Sequence, residues 1–334
     1  MPNKPSFYKK AIDDGIFADQ NERVKFIESL NFWIFKSGKI VYKVKKRDLS
    51  QNNLAVDELF CRNLANTISA YSPQLDPKVL TLTKNNDLIE VTEQAQSQSE
   101  IFAYIVAMNQ ISETAFLDAI LKKNRATEKT VGNIAKYLYE LHNSAETIST
   151  GQEGNVEQLT RELDDLIYQS KKHLGKTISQ AVLDMTRHPM EKFLQDHKKL
   201  FNKRSRKGFV RKIHGAFIPS KIIIQKGQVF ALGQSFDPVR SGAADIVSDI
   251  ADLVVELNYT KNIDLAEHFT QSYIKLSNDR EIKQLLPFYK AMKCLERGLK
   301  NSTLAITAPA KKATIHCESA VKYYEQTVEA VHQF

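Results

Sequence analysis

The hydrophobic pattern of the chain changes its period near residue 110, and this change constrains the fold more than any other feature. Before that point, short apolar and β-branched segments are separated by turn residues, which is typical of a sheet. The predicted strands are Phe32–Phe35, Ile40–Val44, two within Lys78–Val91, and Ile101–Met108. Asn52–Ile68 has a helical period and predicts one helix. Residues 1–110 are therefore expected to form a small sheet with one helix.

After residue 110 the helical period dominates, and residues 111–334 are expected to form a mainly helical region. One interruption lies within 216–232, where two short strands, 216–224 and 228–232, flank the turn Lys226-Gly227. Asp245–Leu257 then reads as a strong helix. The predicted class is α+β, with a small sheet region followed by a large helical one.

Composition excludes several classes of protein. The 334 residues are 42% hydrophobic, enough for a real core. No apolar run approaches the roughly 18–20 residues of a membrane span. The three cysteines, Cys61, Cys294 and Cys317, are widely spaced and form no disulfide framework or metal-binding pattern. A reducing, cytoplasmic setting fits this usage, and the sequence predicts no membrane span.

The net charge of +8 concentrates in residues 192–212. Two interpretations remain open for this stretch: a solvated helix face, or a patch that docks nucleic acid or an acidic partner. The predicted basic patch consists of Lys198, Lys199, Lys203, Arg204, Arg206 and Lys207.

The segment Gly208–Ile222 resembles the catalytic loop of aminoglycoside-phosphotransferase-like kinases, which normally reads His-Gly-Asp-Leu-His-x-x-Asn-Ile. Three further segments resemble an uncharacterised bacterial branch of that family, in the same order along the chain. They are Asn21–Ser29, Trp33 with Gly38–Lys46, and Leu286–Ala291. The resemblance implies a bilobal protein-kinase-like fold, with an N-lobe in 1–110 and a C-lobe in 111–334.

The resemblance also assigns a nucleotide-positioning pair. Lys43 matches the lysine that contacts the phosphates in the family. Glu58, on the predicted helix, is the acid expected to pair with Lys43. The alternative is that Lys43 is an ordinary strand lysine.

Two loop positions depart from the family's pattern. Ala216 stands where the catalytic Asp belongs, and a methyl group cannot accept a proton or orient an alcohol. Lys221 stands where the metal-binding Asn belongs. An ammonium has no lone pair, so it cannot bind magnesium, although it could contact a phosphate directly.

The second metal position is altered as well. The family's strand after the loop ends in Asp-x-x-Glu-Phe, and Leu232–Phe236 replaces that motif, with Gly233 at the position of the metal-binding Asp. Asp237 follows four positions later and is a candidate for a displaced ligand.

Four residues of the loop's frame are retained. His214 and Gly215 keep the beginning of the motif, and Asp245 and Asp249 match acids at the start of a family helix that supports the loop from behind. The resemblance implies structural roles for all four.

Three functions remain open from the sequence. The first is a non-catalytic pseudokinase that binds or regulates a protein partner, with no metal or cofactor expected and weak nucleotide binding left open. The second is a divergent small-molecule phosphotransferase whose metal ligands are relocated to Asp237, Asp245 and Asp249. The third is a basic protein that docks nucleic acid or an acidic partner through residues 192–212.

Overall fold

A computed structural model describes residues 24–28, 32–46, 53–85, 88–93, 100–233 and 242–334. The first part of the chain forms a six-stranded antiparallel sheet in the order β1-β2-β3-β6-β4-β5. Its strands are β1 (Lys25–Glu28), β2 (Phe32–Ser37), β3 (Ile40–Lys45), β4 (Lys78–Asn85), β5 (Leu88–Thr92) and β6 (Glu100–Asn109). Helix α1 (Leu54–Tyr71) packs on one face.

The predicted strands Phe32–Phe35 and Ile40–Val44 are confirmed, and they pair as the β2–β3 hairpin. Gly38 has φ of 49°, in the left-handed region that favours glycine, and the register pairs Ser37 with Ile40. The lysine-bearing strand β3 lies in the sheet between β2 and β6, where Lys43 pairs with Ile34 on one side and Val106 on the other.

The alternation of side chains along the strands produces two cores. On one face, Trp33, Phe35, Val44, Leu82 and Ile105 form an apolar cluster. On the opposite face, Val41 and Val106 pack against the Cys61, Leu64 and Ile68 side of α1. Val41, Lys43 and Lys45 alternate with Tyr42 and Val44, so both lysines share the face that α1 covers.

The remaining helices follow after residue 115. They are α2 (Leu117–Lys122), α3 (Glu128–Ser144), α4 (Val156–Lys171), α5 (Gln180–Asp196), α6 (Lys198–Arg206), α7 (Val247–Tyr259), α8 (Ile263–Ser277), α9 (Ile282–Thr307) and α10 (Ala310–Val331). None of the helices in the described ranges combines the length and the hydropathy of a membrane span.

Two small sheets interrupt the helices. Strands β8 (Ile222–Gln225) and β9 (Gln228–Ala231) pair across the predicted turn, where Lys226 and Gly227 have φ of 51° and 78°. The predicted strand over 216–224 is wrong over residues 216–221. There the backbone forms turns, with the Lys221 amide donating to the carbonyl of Ile218.

The other small sheet pairs β7 (Val210–Lys212) with β10 (Ala243–Asp245). Asp245 was expected to begin a helix but ends this strand, and α7 starts two residues later. The reason is the pairing of Asp245 with Val210, a contact between distant segments that a local pattern cannot reveal.

Contacts divide the chain into two units. The first, here called the sheet unit, takes in the described residues of Met1–Ala115 and Phe230–Phe236. The second, the helical unit, takes in the described residues of Phe116–Val229 and Asp237–Phe334.

Candidate functional site

The loop that begins at His214 is held by one carboxylate of α7. The backbone N–H of His214 donates to Asp249 Oδ2 at 2.7 Å, and that of Gly215 donates to Oδ1 at 2.7 Å. Asp249 and His214 are fully buried. Because both oxygens take a backbone donor, Asp249 fixes the course of the loop rather than its side chains.

Asp249 is itself oriented from behind by His142 of α3. His142 Nε2 lies 3.2 Å from Asp249 Oδ2, and Nδ1 lies 2.7 Å from the hydroxyl of Tyr273 on α8. Burial raises the pKa of Asp249, but the hydrogen bond and charge of His142, with the contacts of His214, outweigh it, and the pKa lies below its ordinary value. An ionised Asp249 only accepts, so His142 Nε2 carries the proton of this hydrogen bond.

The frame therefore ends in a position that carries no reactive group. Ala216 directly follows Gly215, and its carbonyl accepts from the Ile218 amide at 3.0 Å in a tight turn. The methyl group stands where the resemblance places the catalytic carboxylate.

Lys221 ends the same loop and is half-buried. Burial lowers the pKa of its ammonium, whereas Asp252 and Asp249 raise it and Lys300 lowers it. The pKa of Lys221 lies below its ordinary value, with burial as the main cause, and its side chain offers a nitrogen in place of the oxygen ligand that a magnesium ion needs.

Gly233 lies in the sheet unit, packed against α1. A Cβ atom at this position would lie 2.9 Å from Cγ2 of Thr67 and 3.1 Å from its carbonyl oxygen. The preceding residues are fixed there too, since Ser72 Oγ donates to the Ala231 carbonyl at 2.6 Å and Leu232 packs into the α1 core. The position of the family's metal-binding Asp is closed to any side chain.

Asp245 is bound by a buried arginine. Arg204 of α6 donates from Nε to Asp245 Oδ2 at 2.6 Å and from Nη2 to Oδ1 at 2.9 Å. Its Nη1 reaches Asp279 at 2.8 Å and Glu281 at 3.3 Å. Asp245 Oδ1 also accepts from the Val247 amide at 3.0 Å, so Asp245 joins α6 to the start of α7.

This cluster corrects the predicted basic patch. Arg204 is fully buried and belongs to the interior, because it lies on the inner face of the short helix α6. Lys198 pairs with Glu157 at 3.4 Å, and Lys203 pairs with Glu281. Lys199, Arg206 and Lys207 are exposed. Of the six residues of the predicted patch, one therefore belongs to a buried ion cluster and two form ion pairs at the surface. Within the described ranges, the other three are exposed and form no ion pair.

Glu58, the predicted partner of Lys43, has a hydrogen-bond partner on its own helix. Glu58 accepts two hydrogen bonds from Arg62, at 2.6 and 2.9 Å, one turn along α1. The hydrogen bonds of Arg62 and of Tyr104 on β6 hold the pKa of Glu58 below its ordinary value. The preceding acid, Asp57, is buried and lies 4.0 Å from Lys45 Nζ. Lys43 lies over the ring of Phe32, 6.0 Å from its centroid.

This geometry does not favour the hypothesis that Asp237, Asp245 and Asp249 are relocated metal ligands. Asp245 and Asp249 each accept three hydrogen bonds from protein donors and are almost fully buried. Asp237, the third candidate, lies outside the described residues. Across the described ranges, no three His, Cys, Asp or Glu side chains are arranged to hold a metal ion.

The sequence missed the residues that support the frame. Arg204 was read as surface charge, and His142, Tyr273 and Ser72 were not singled out. No local signal identifies them, because each acts on a residue more than 40 positions away.

Solved structures similar to this chain include two kinases and a phosphotransferase. An aminoglycoside 2'-phosphotransferase-IIIa in its GDP complex aligns over 97% of this chain and 99% of its own, with TM-score 0.56 and 13% identity. A microcompartment-associated aminopropanol kinase aligns over 96% and 95%, with TM-score 0.55 and 12% identity. A choline/ethanolamine kinase family protein from Mesorhizobium loti aligns over 98% and 99%, with TM-score 0.54 and 14% identity.

The chain has the aminoglycoside-phosphotransferase-like kinase fold. The antiparallel sheet unit and the mainly helical unit confirm the predicted fold class. At 12–14% identity these likenesses concern the fold alone.

Sequence comparison adds relatives without an assigned activity. Uncharacterized proteins of Mycobacterium bovis and Mycobacterium tuberculosis are 23% identical over 199 residues, which is 58% of this chain. The chain spans only 39% of the length of these relatives. No protein-family model matches the chain.

Proposed function

We propose that the chain is a non-catalytic pseudokinase of the aminoglycoside-phosphotransferase-like group, from a bacterial branch, that binds or regulates a protein partner. The observation that carries the proposal is Ala216, which follows a loop backbone held by Asp249 at two 2.7 Å hydrogen bonds. The loop backbone is thus still held in place. At the position whose carboxylate would act on an acceptor hydroxyl, however, the side chain is a methyl group.

The metal positions support the same proposal. Phosphoryl transfer depends on cations that neutralise the phosphate charge. Lys221 offers an ammonium in place of a ligand oxygen, and Gly233 is packed too tightly on Thr67 to carry any side chain. Three independent changes, each at a position that the chemistry needs, favour loss of catalysis over relocation.

Nucleotide binding, if retained, is expected to be weak and independent of magnesium. Lys43 is the remaining phosphate-contacting candidate in the sheet unit. A fold that is maintained without its catalytic residues is consistent with a role in binding a protein partner. The three free cysteines are consistent with a reducing cytoplasmic compartment.

A transfer assay tests the proposal. The full chain is incubated with γ-labelled ATP, magnesium or manganese, and a panel of amino-alcohol and aminoglycoside acceptors. We expect no transfer and no hydrolysis above the level of a Lys43→Ala variant purified in the same way. Turnover by the natural chain that the Lys43→Ala variant lacks would overturn the proposal.

A further inference from the structure

A small cavity lies in the helical unit, where α7, α9 and α10 meet. Its volume is about 50 Å³. The lining residues share one face of each helix: Val255, Asn258, Lys290, Cys294, Gln326, Glu329, Ala330 and Gln333. None of them belongs to the loop at His214–Lys221 or to its supports, so the cavity is separate from the candidate site described above.

Lys290 supplies the positive charge of the cavity. Its ammonium donates to Gln333 Oε1 at 2.9 Å, which uses one of its three hydrogens. Burial lowers the pKa of Lys290, while Cys294 and Glu329 raise it. The remaining donors suit an anionic or carbonyl oxygen within the cavity.

Gln326 supplies an unused acceptor. Its Oε1 is buried and accepts no hydrogen bond from the described residues. Buried polar atoms are nearly always paired, so a partner within the cavity would complete the hydrogen bonding of Gln326. That partner must donate a hydrogen bond.

The size and the rest of the lining limit the ligand further. A water molecule needs roughly 10–15 Å³ of such volume, so the cavity accommodates a few waters or a solute of a few heavy atoms. Burial raises the pKa of the Cys294 thiol to about 12, so it contacts a ligand as a neutral group rather than as a nucleophile.

We propose that this cavity binds a small carboxylate that carries a hydroxyl or amino group on the adjacent carbon. The carboxylate contacts the Lys290 ammonium, and the neighbouring donor binds Gln326 Oε1. A small α-hydroxy or α-amino acid has both groups within the size of the cavity. The site is independent of the proposed pseudokinase function, and its loss or retention says nothing about Ala216.

Calorimetric titration of the full chain tests the site with matched ligands. Glycolate and glycine carry both groups, whereas acetate has the carboxylate without the donor. We expect glycolate or glycine to bind at least tenfold more tightly than acetate. This comparison uses the natural chain and so does not depend on the folding of any variant.

Three variants and one control locate the binding. Lys290→Met removes the charge, Gln326→Leu removes the acceptor, and Ala330→Val fills the cavity without changing a polar group. Each is expected to weaken binding at least tenfold. Lys283→Met changes an exposed lysine on the same helix and should bind like the natural chain. Absence of binding by glycolate and glycine, equal binding of acetate, or full binding by folded Lys290→Met and Ala330→Val would each overturn the proposal.

Discussion

The two regions that depart from the resembled family's pattern differ in how the altered position is packed. In the helical unit, the loop at Ala216 keeps its frame, because Asp249 holds the two preceding backbone amides at 2.7 Å. In the sheet unit, Gly233 has no frame for a ligand, since a Cβ atom there would meet Thr67 at 2.9 Å. The first change replaces a side chain in an intact setting. The second lies where the packing of α1 leaves no space for a side chain. Restoring the family's residue should therefore be tolerated at Ala216 and should destabilise the fold at Gly233.

The largest expected effect on stability comes from replacing Arg204, which binds Asp245 of the loop's frame. Arg204→Met leaves Asp245 and Asp279 buried with no cation, and such losses cost about 3–5 kcal/mol of unfolding free energy. Urea denaturation followed by circular dichroism measures the loss. Arg206→Met, on the exposed side of the same helix, is the matched control and should change stability by less than about 0.5 kcal/mol. Equal effects of the two variants would show that Arg204 does not support the frame.

The carboxylate that holds the loop is the next test. Asp249→Asn removes one acceptor oxygen and places an N–H₂ group against a backbone donor, so we expect a loss of about 2–3 kcal/mol. The folded-state pKa of Asp249 is lowered, and its contribution to stability is therefore present above the unfolded value and lost as pH falls through the folded value. Denaturation at pH 7 and at lower pH should show a smaller acid loss in Asp249→Asn than in the natural chain. The same slope in both would contradict this role.

A pair of restoring substitutions compares the two regions directly. Gly233→Asp forces a side chain onto Thr67, and overpacking of this kind costs about 1–3 kcal/mol. Ala216→Asp enters a half-buried turn and should cost less than about 1 kcal/mol. Melting temperatures of the two variants, measured side by side, give the comparison. A Gly233→Asp variant as stable as Ala216→Asp would remove the distinction between a closed and an open position.

The smallest effect concerns the exposed lysines. Lys199→Ala and Lys207→Ala should each change the unfolding free energy by less than about 0.5 kcal/mol, because neither side chain is buried. Binding of a labelled DNA duplex at two salt concentrations measures any docking role. Tight binding that weakens steeply with salt and is lost in the double variant would support the nucleic-acid alternative.

Local sequence patterns predicted most of the helices and strands, but few of the side-chain contacts that hold them together. The turn at Lys226-Gly227 depends on two residues, and the structure has it where expected. The pairing of β7 with β10 joins segments about 30 residues apart and was missed, so Asp245 was assigned to a helix.

Charged residues were the least predictable. Arg204 sits in a run of lysines that reads as a solvated face, yet three acids from distant segments draw it into the interior. Asp57 and Glu58 are neighbours on α1, yet Asp57 lies 4.0 Å from Lys45 of β3 whereas Glu58 pairs with Arg62 of its own helix, and the sequence does not distinguish these outcomes. The residue types that replace the catalytic ones are visible in the sequence, but whether a position is open or closed depends on packing.

Titration of the full chain with ATP, in magnesium and in EDTA, tests the proposed loss of metal-dependent chemistry most directly. The replacement of the metal positions by Lys221 and Gly233 predicts that any ATP-induced rise in melting temperature is weak and the same in both conditions. A rise that requires magnesium would contradict the assignment of the chain as a pseudokinase.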